Sequence, residues 1–371
     1  MTNLRRTLRV ALGGAPLIAL AACFLPGFEK VDATAAGGAG GAGGAGGAGG
    51  GEDPCSVRWP AQEPGTSLDT DSIVIELAMR TIDIGDRDPT IAPGFDLDRA
   101  CTCCNECPAA QTCTPPGDLL CDAPRGRDNA TAHFLDRLEQ MVASPVSSDS
   151  LTAEIDAGTW TILMRVWGYN GLPDDDEVQV ALYGTAAAPP PMWNGQDVWP
   201  VRADYLLPMA TSVEEAVVRS DIAYVTGGTL VGTFGASAPL RLSLTGGFDI
   251  WLTSAIVSGT LEPQNGTFRL AGATLGGLWT MPDVFRSLAD LRAGGVAVVC
   301  RGQPVYEDMI KPLLCNLRDG RPGFDTPAPC DSLSFGTAFT SEPAVFSGVV
   351  PAPDPGIPCA AGTEPTGDVC P

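Results

Sequence analysis

The chain is 371 residues long and carries 44 acidic against 22 Lys and Arg side chains, for a formal net charge of −22. Such a surface repels phosphate backbones and anionic headgroups, which excludes nucleic-acid binding and a polybasic membrane patch as its mode of action. Thirteen cysteines are too many for an ordinary cytosolic domain and point to an oxidising compartment. A single histidine excludes histidine-rich zinc chemistry by count.

In chain order, residues 1–22 read as an export leader, with Arg5, Arg6 and Arg9 ahead of an apolar run from Val10 to Ala22. Gly13, Gly14 and Pro16 interrupt that run, which falls short of the ~20 residues of a membrane-spanning helix. Leu20, Ala21, Ala22 and Cys23 match a lipobox, and the segment resembles the type II signal peptides of bacterial lipoproteins. The resemblance implies cleavage before Cys23, diacylglyceryl transfer to its sulfur and acylation of the new amino terminus, a set of chains that anchors durably. Phe24 in place of Asp favours the outer membrane or cell surface of a bacterial envelope over the inner membrane. Arg5 and Arg6 also raise a twin-arginine route. Thr7, Leu8 and Arg9 match it loosely, and export unfolded with later oxidation is simpler for a disulfide-rich chain.

Residues 23–51 then form a lipidated cysteine and a linker of Gly-Gly-Ala units, which has no side chains to bury. From Cys23 to Cys55 such a coil averages roughly 30 Å end to end. Residues 52–371 are read as one extracytoplasmic unit, with room for two subdomains.

Within that unit, residues 72–84 predict one or two strands. A cysteine-dense loop follows, holding Cys101, Cys103, Cys104, Cys107, Cys113 and Cys121. A short amphipathic helix is expected after Asp128 or Asn129, with Phe134, Leu135, Leu138, Met141 and Val142 on one face and Pro145 ending it. Residues 159–167 alternate with Trp160, Ile162, Met164 and Val166 on one side, and residues 177–183 answer with Val178, Val180 and Leu182. They predict a hairpin around the acidic turn 168–176. Short apolar runs separated by Gly, Asn and Ser over 223–279 predict a meander in a sandwich or barrel. A helix is expected over 282–292, with Gly294 and Gly295 as its stop, and another over 305–317, kinked or broken at Pro312. The fold class is therefore mainly β: an antiparallel, sandwich-like domain with two or three short helices, stabilised by disulfides.

Setting Cys23 aside leaves twelve cysteines, an even number suited to a disulfide framework: Cys55, the six of the loop, Cys300, Cys315, Cys330, Cys359 and Cys370. Cys104 and Cys107 form a CxxC pair. Pro108 and the crowd of neighbouring cysteines remove the strand-then-helix setting of a redox pair and leave structural disulfides as the reading, ahead of zinc. Cys300 and Cys315 flank one helical segment and are expected to pair, and Cys359 with Cys370 can staple the C-terminal region. Full connectivity has roughly ten thousand solutions.

Other candidates have plain readings beside sharper ones. His133 is read as solvated or partly packed, with no GxSxG elbow to make it catalytic. Asp174, Asp175, Asp176 and Glu177, with a looser group at Asp69, Asp71, Asp83, Asp86 and Asp88, are read as solvated turns. Calcium held by these oxygens with Asn170 is the alternative, though EF-hand spacing is absent. Trp193 and Trp199 flank a polar turn and are read as core, with a sugar-stacking platform as the alternative.

The mature chain also resembles uncharacterised, cysteine-containing secreted bacterial lipoproteins. The resemblance rests on FDLDRACTC from Phe95, GRDNA from Gly126, YNGLPDDDEVQVALY from Tyr169 and CDSLSFGTAF from Cys330, and it implies location and not activity. The expected function is a non-catalytic binding or structural module, held at the membrane by lipid, without a cofactor, and taking a ligand, glycan or protein partner. A carboxylate-dependent, glycosidase-like hydrolase is the alternative. Reduction of the mature protein should raise its intact mass by about twelve hydrogens, two for each of six bridges; twelve free thiols before reduction would contradict the framework.

Overall fold

In the computed structural model of the chain, the described residues are 63–65, 72–98, 113–117, 120–141, 146–210, 212–235, 239–244, 248–293, 295–322 and 328–371. The leader, Cys23 and the linker lie outside them, as do Cys55, Cys101, Cys103, Cys104, Cys107, Asp69 and Asp71.

The elements begin with β1 (Ile73–Asp83), helix α1 (Ala130–Met141) and helix α2 (Ser148–Asp156). Asn129 caps α1 by accepting from the Ala132 N–H, as expected. Helix α2 is absent from the sequence reading. It starts on a reciprocal cap between Ser147 and Ser150 and buries Leu151 and Ile155. The expected hairpin is β2 (Ile162–Tyr169) and β3 (Gln179–Gly184), followed by β4 (Val198–Arg202). The expected meander is β5 (Ile222–Thr226), β6 (Thr229–Phe234), β7 (Leu240–Ser243), β8 (Asp249–Gln264) and β9 (Thr267–Thr280). Its two tight turns, Gly227-Gly228 and Asn265-Gly266, have positive φ at both positions, the backbone that suits a twisted hairpin.

Helix α3 (Met281–Asp290) buries Val284, Phe285 and Leu288 as its spacing requires. It stops earlier than the glycine signal suggested, because Leu291 turns extended and the chain enters the small hairpin β10 (Arg292–Ala293) and β11 (Val296–Ala297). Gly295 serves that hairpin's turn instead. Residues 305–310 form a widened helical turn in which the Lys311 N–H reaches the Tyr306 carbonyl, and α4 (Lys311–Asn316) continues from it. The change in winding falls just before Pro312, which has no N–H to donate. Strands β12 (Ser332–Pro343) and β13 (Val345–Val350) follow.

Nine strands make one sheet in the order β3-β2-β1-β12-β9-β8-β6-β5, with β7 also paired to β8. This is the mainly antiparallel architecture with short helices that the strand patterns predict. Its two ends are joined: Asp175 and Val225 exchange backbone hydrogen bonds of 2.8 and 2.7 Å, Val178 N donates to Ala223 O at 3.2 Å, and Ser220 N donates to Val180 O at 2.8 Å. These bonds pair backbone groups of the two edge strands and their flanks across the seam.

The main core fills the inside of this curled sheet. Ile162, Met164 and Val166 of β2 face it with Trp160, and α1, α2 and α3 add Phe134, Ile155 and Phe285. A register shift between Met79 and Thr81 moves the inward positions of β1 from Ile75, Leu77 and Met79 to Ile82 and onward to Ile84. Leu163, Ala181 and Tyr183 point to the opposite face and pack on Trp199, Val201 and Tyr205, beneath the parallel pair β4–β13.

On another stretch of the outer face, residues 93–97 lie across β9 and β12 where Gly276 and Gly336 sit opposite each other. A Cβ on Gly336 would collide with the Pro93 carbonyl, and one on Gly276 would come within 2.9 Å of the Phe95 ring. Phe95 and Leu97 in turn cover Ile256 and Leu278.

Three disulfides tie distant segments among the described residues: Cys113–Cys330, Cys300–Cys359 and Cys315–Cys370, with sequence separations of 217, 59 and 55. Cys121 is disulfide-bonded as well. The expected Cys300–Cys315 and Cys359–Cys370 pairings are therefore corrected. The C-terminal segment lies along the helical region, where Tyr306 Oη donates to Asp368 at 2.7 Å and Lys311 Nζ at 2.9 Å, and so brings each tail cysteine to a separate partner. Crosslinks over such spans each contribute on the order of 4 kcal/mol by limiting the unfolded chain. Gly336→Ala should cost about 2–3 kcal/mol by lifting residues 93–97 off the sheet, measured as a drop in urea midpoint; an unchanged midpoint would contradict the close approach.

Candidate functional site

A cleft of about 690 Å³ opens where β4, β7, the start of β8 and the end of α3 converge. Its charged lining is three arginines, Arg202, Arg241 and Arg292, and four aspartates, Asp204, Asp249, Asp290 and Asp354. Strand alternation aims Arg202 and Arg241 here, each set among apolar residues that face elsewhere.

Four of these charges, Arg202, Asp204, Arg241 and Asp249, form a chain. Arg202 grips Asp204 through Nε and Nη2 at 3.0 and 2.6 Å and donates to Ser243 Oγ at 2.5 Å. Arg241 Nη1 lies 2.8 Å from the same Asp204, while its Nε and Nη2 donate to Asp249 Oδ2 at 2.8 and 2.5 Å. Both guanidiniums stack on Tyr205, 5.3 and 4.8 Å from its ring centre. Burial opposes ionisation of Asp204, but hydrogen bonds and charge from Arg202 and Arg241 outweigh it and hold the carboxyl below its usual range. Burial also pushes the Tyr205 hydroxyl upward. Asp249 Oδ1 has no hydrogen-bond partner among the described residues.

Asp290 is the exception in this network. Burial raises its pKa, and the nearby arginines offset this only in part while the charge on Asp249 adds to it. The far wall is residues 352–356, fixed by Arg292 Nε donating to Pro355 O at 3.0 Å, by the Ile357 N–H on Gly295 O at 2.8 Å, and by the Cys300–Cys359 bridge.

A second cluster lies beside the segment that crosses β9 and β12. Carboxylate oxygens of Asp96, Asp98 and Asp128 lie within 4.8 Å of one another, the one such grouping of metal-ligand type among the described residues. These oxygens are of the kind that hold calcium. Asp128 accepts from the Leu97 N–H at 2.6 Å. Burial first, and then the charges of Asp98, Asp122 and Asp319, push its carboxyl well above the usual range. Burial likewise raises Asp319 to about 7, although Ser334 donates to it through both its N–H, at 2.8 Å, and its hydroxyl.

The acids singled out in the sequence do other work. Asp175 is fully buried and accepts the N–H groups of Asn170 and Glu177 at 2.7 and 3.1 Å, and Asp174 accepts the Gly227 N–H at 2.8 Å. The turn thus braces the seam of the sheet. Asp83 and Asp86 receive Ser148 at the start of α2, and Asp88 caps the short helical turn 89–91. His133 is half-buried on α1, where burial and Arg137 lower its pKa, and it does not line the cleft. Trp199 is core, 1% exposed; Trp193 lies 6.3 Å from it and donates to Asp156. The cleft residues carried no local motif. Their one trace in the sequence is an arginine inside an apolar strand, as in Leu240-Arg241-Leu242.

Between the unfolded value of 3.8 and about 7, the folded chain holds a proton on Asp319 that the unfolded chain has released. Stability therefore falls as pH rises through that interval, by on the order of 1–3 kcal/mol. Asp319→Asn should flatten the difference in urea midpoint between pH 5 and pH 8, and an undiminished slope would show that other groups govern it. No protein-family model, curated protein or solved structure matches the chain.

Proposed function

We propose that the chain is a lipid-anchored, extracytoplasmic binding module of a bacterial envelope, with its ligand site in the Arg–Asp cleft. The carrying observation is preorganisation: Arg202, Asp204, Arg241 and Asp249 hold one another in place before any ligand arrives, so little side-chain freedom remains to be lost on binding. The volume lies in the range of small-molecule sites. Disulfides among the described residues suit an oxidising location, and the lipobox at Cys23 supplies the anchor.

The hydrolase alternative keeps one supporting observation, since burial raises the pKa of Asp290 in a cleft that Asp249 also lines, and a carboxyl with a raised pKa is what a general acid uses. Against it, Asp204 and Asp249 are both committed to Arg241. Cys23→Ser should move the protein from the membrane to the soluble fraction, and continued membrane association would refute lipidation. For the cleft, a thermal-shift screen of the soluble mature chain against glycans, amines and organic anions should return a ligand, and no shift from any class would overturn the binding reading.

A further inference from the structure

We infer that the cleft receives its ligand through a protonated amine held at Asp290, the class of a diamine or polyamine. This rests on the cleft being a binding site and names what it takes. The arginine donors of the lining are engaged within the fold. Arg202 and Arg241 already grip carboxylates, and Arg292 turns Nε and Nη1 to the carbonyls of Pro355, Ala289 and Leu291. The opposite wall contains Pro353 and Pro355, which have no N–H to offer. The charged lining comprises three cations and four anions on a chain of net charge −22, a field that draws cations and repels anions.

Asp290 is the residue this arrangement leaves undercompensated. Its ion-pair partner among the described residues, Arg292, stands 3.9 Å away. It is also the last residue of α3, where the helix dipole disfavours a negative charge. Burial raises its pKa, which an incoming ammonium would reverse. Asp249 Oδ1, which has no hydrogen-bond partner among the described residues, is a further acceptor oxygen of a residue that lines the cleft.

The test is calorimetry on the oxidised mature chain bearing Cys23→Ser, at low salt, with spermidine, cadaverine, glucose and citrate as probes. Spermidine and cadaverine should bind, and Asp290→Asn should weaken them at least tenfold while leaving the thermal midpoint unchanged or higher. Asp149→Asn, at an exposed acid paired with Arg87 outside the cleft, should leave binding as it was. Equal loss in both variants would assign the binding to the general acidic field and overturn the inference. Glucose or citrate binding that depends on Asp290 would overturn the amine class while leaving a binding cleft. Absence of binding by all four probes would overturn the amine class, and the wider thermal-shift screen then decides separately whether the cleft binds anything.

Discussion

The backbone exchange between Asp175 and Val225 closes the sheet, and much of the molecule is arranged around that seam. A nine-stranded antiparallel sheet left open would present two edges and an incompletely covered core. Joining β3 to the β5 side encloses the main cluster and lets three helices cover what remains. The acidic turn before β3 belongs to this closure. The side chains of Asp174 and Asp175 lie where several N–H groups converge, so their oxygens replace strand partners that the turn cannot supply.

The C-terminal segment is attached by different means. It adds β13 to the outer face and then runs over the helical region, held by two disulfides and the Lys311–Asp368 contact. An extended, proline-rich segment has few backbone donors with which to hold itself down. Covalent crosslinks supply the fixation that strand pairing would otherwise provide, and one consequence is a firm wall for the cleft.

Two groups of aspartates show how burial is resolved in opposite ways. In the cleft, guanidiniums alternate with carboxylates, and Asp204 stays charged because two arginines outweigh its desolvation. Beside the segment over β9 and β12, burial and mutual repulsion act in the same direction, and Asp128 and Asp319 are driven towards the protonated form. The first arrangement is a rigid polar surface; the second responds to pH within the folded state.

Much of the local structure was legible in the sequence because it rests on local causes. Period-two alternation placed β2, β3 and the meander, Asn265-Gly266 marks a turn that few other residue pairs enter, and helical spacing placed α1 and α3. The number of cysteines pointed to a disulfide framework. Other features depended on contacts between residues far apart in the chain. Helix α2 lacked a strong apolar stripe and stands on a serine cap and on what it covers. Pairing of Cys300 with Cys359 and Cys315 with Cys370 follows the path of the tail, which no spacing encodes. The cleft joins Arg202, Arg241, Asp249 and Asp290, which become neighbours only when four elements meet. Periodicity and turn chemistry were thus determined by the sequence itself, whereas closure, crosslink partners and the charged site were decided by the tertiary structure, because Coulombic and covalent partners are chosen by distance in space.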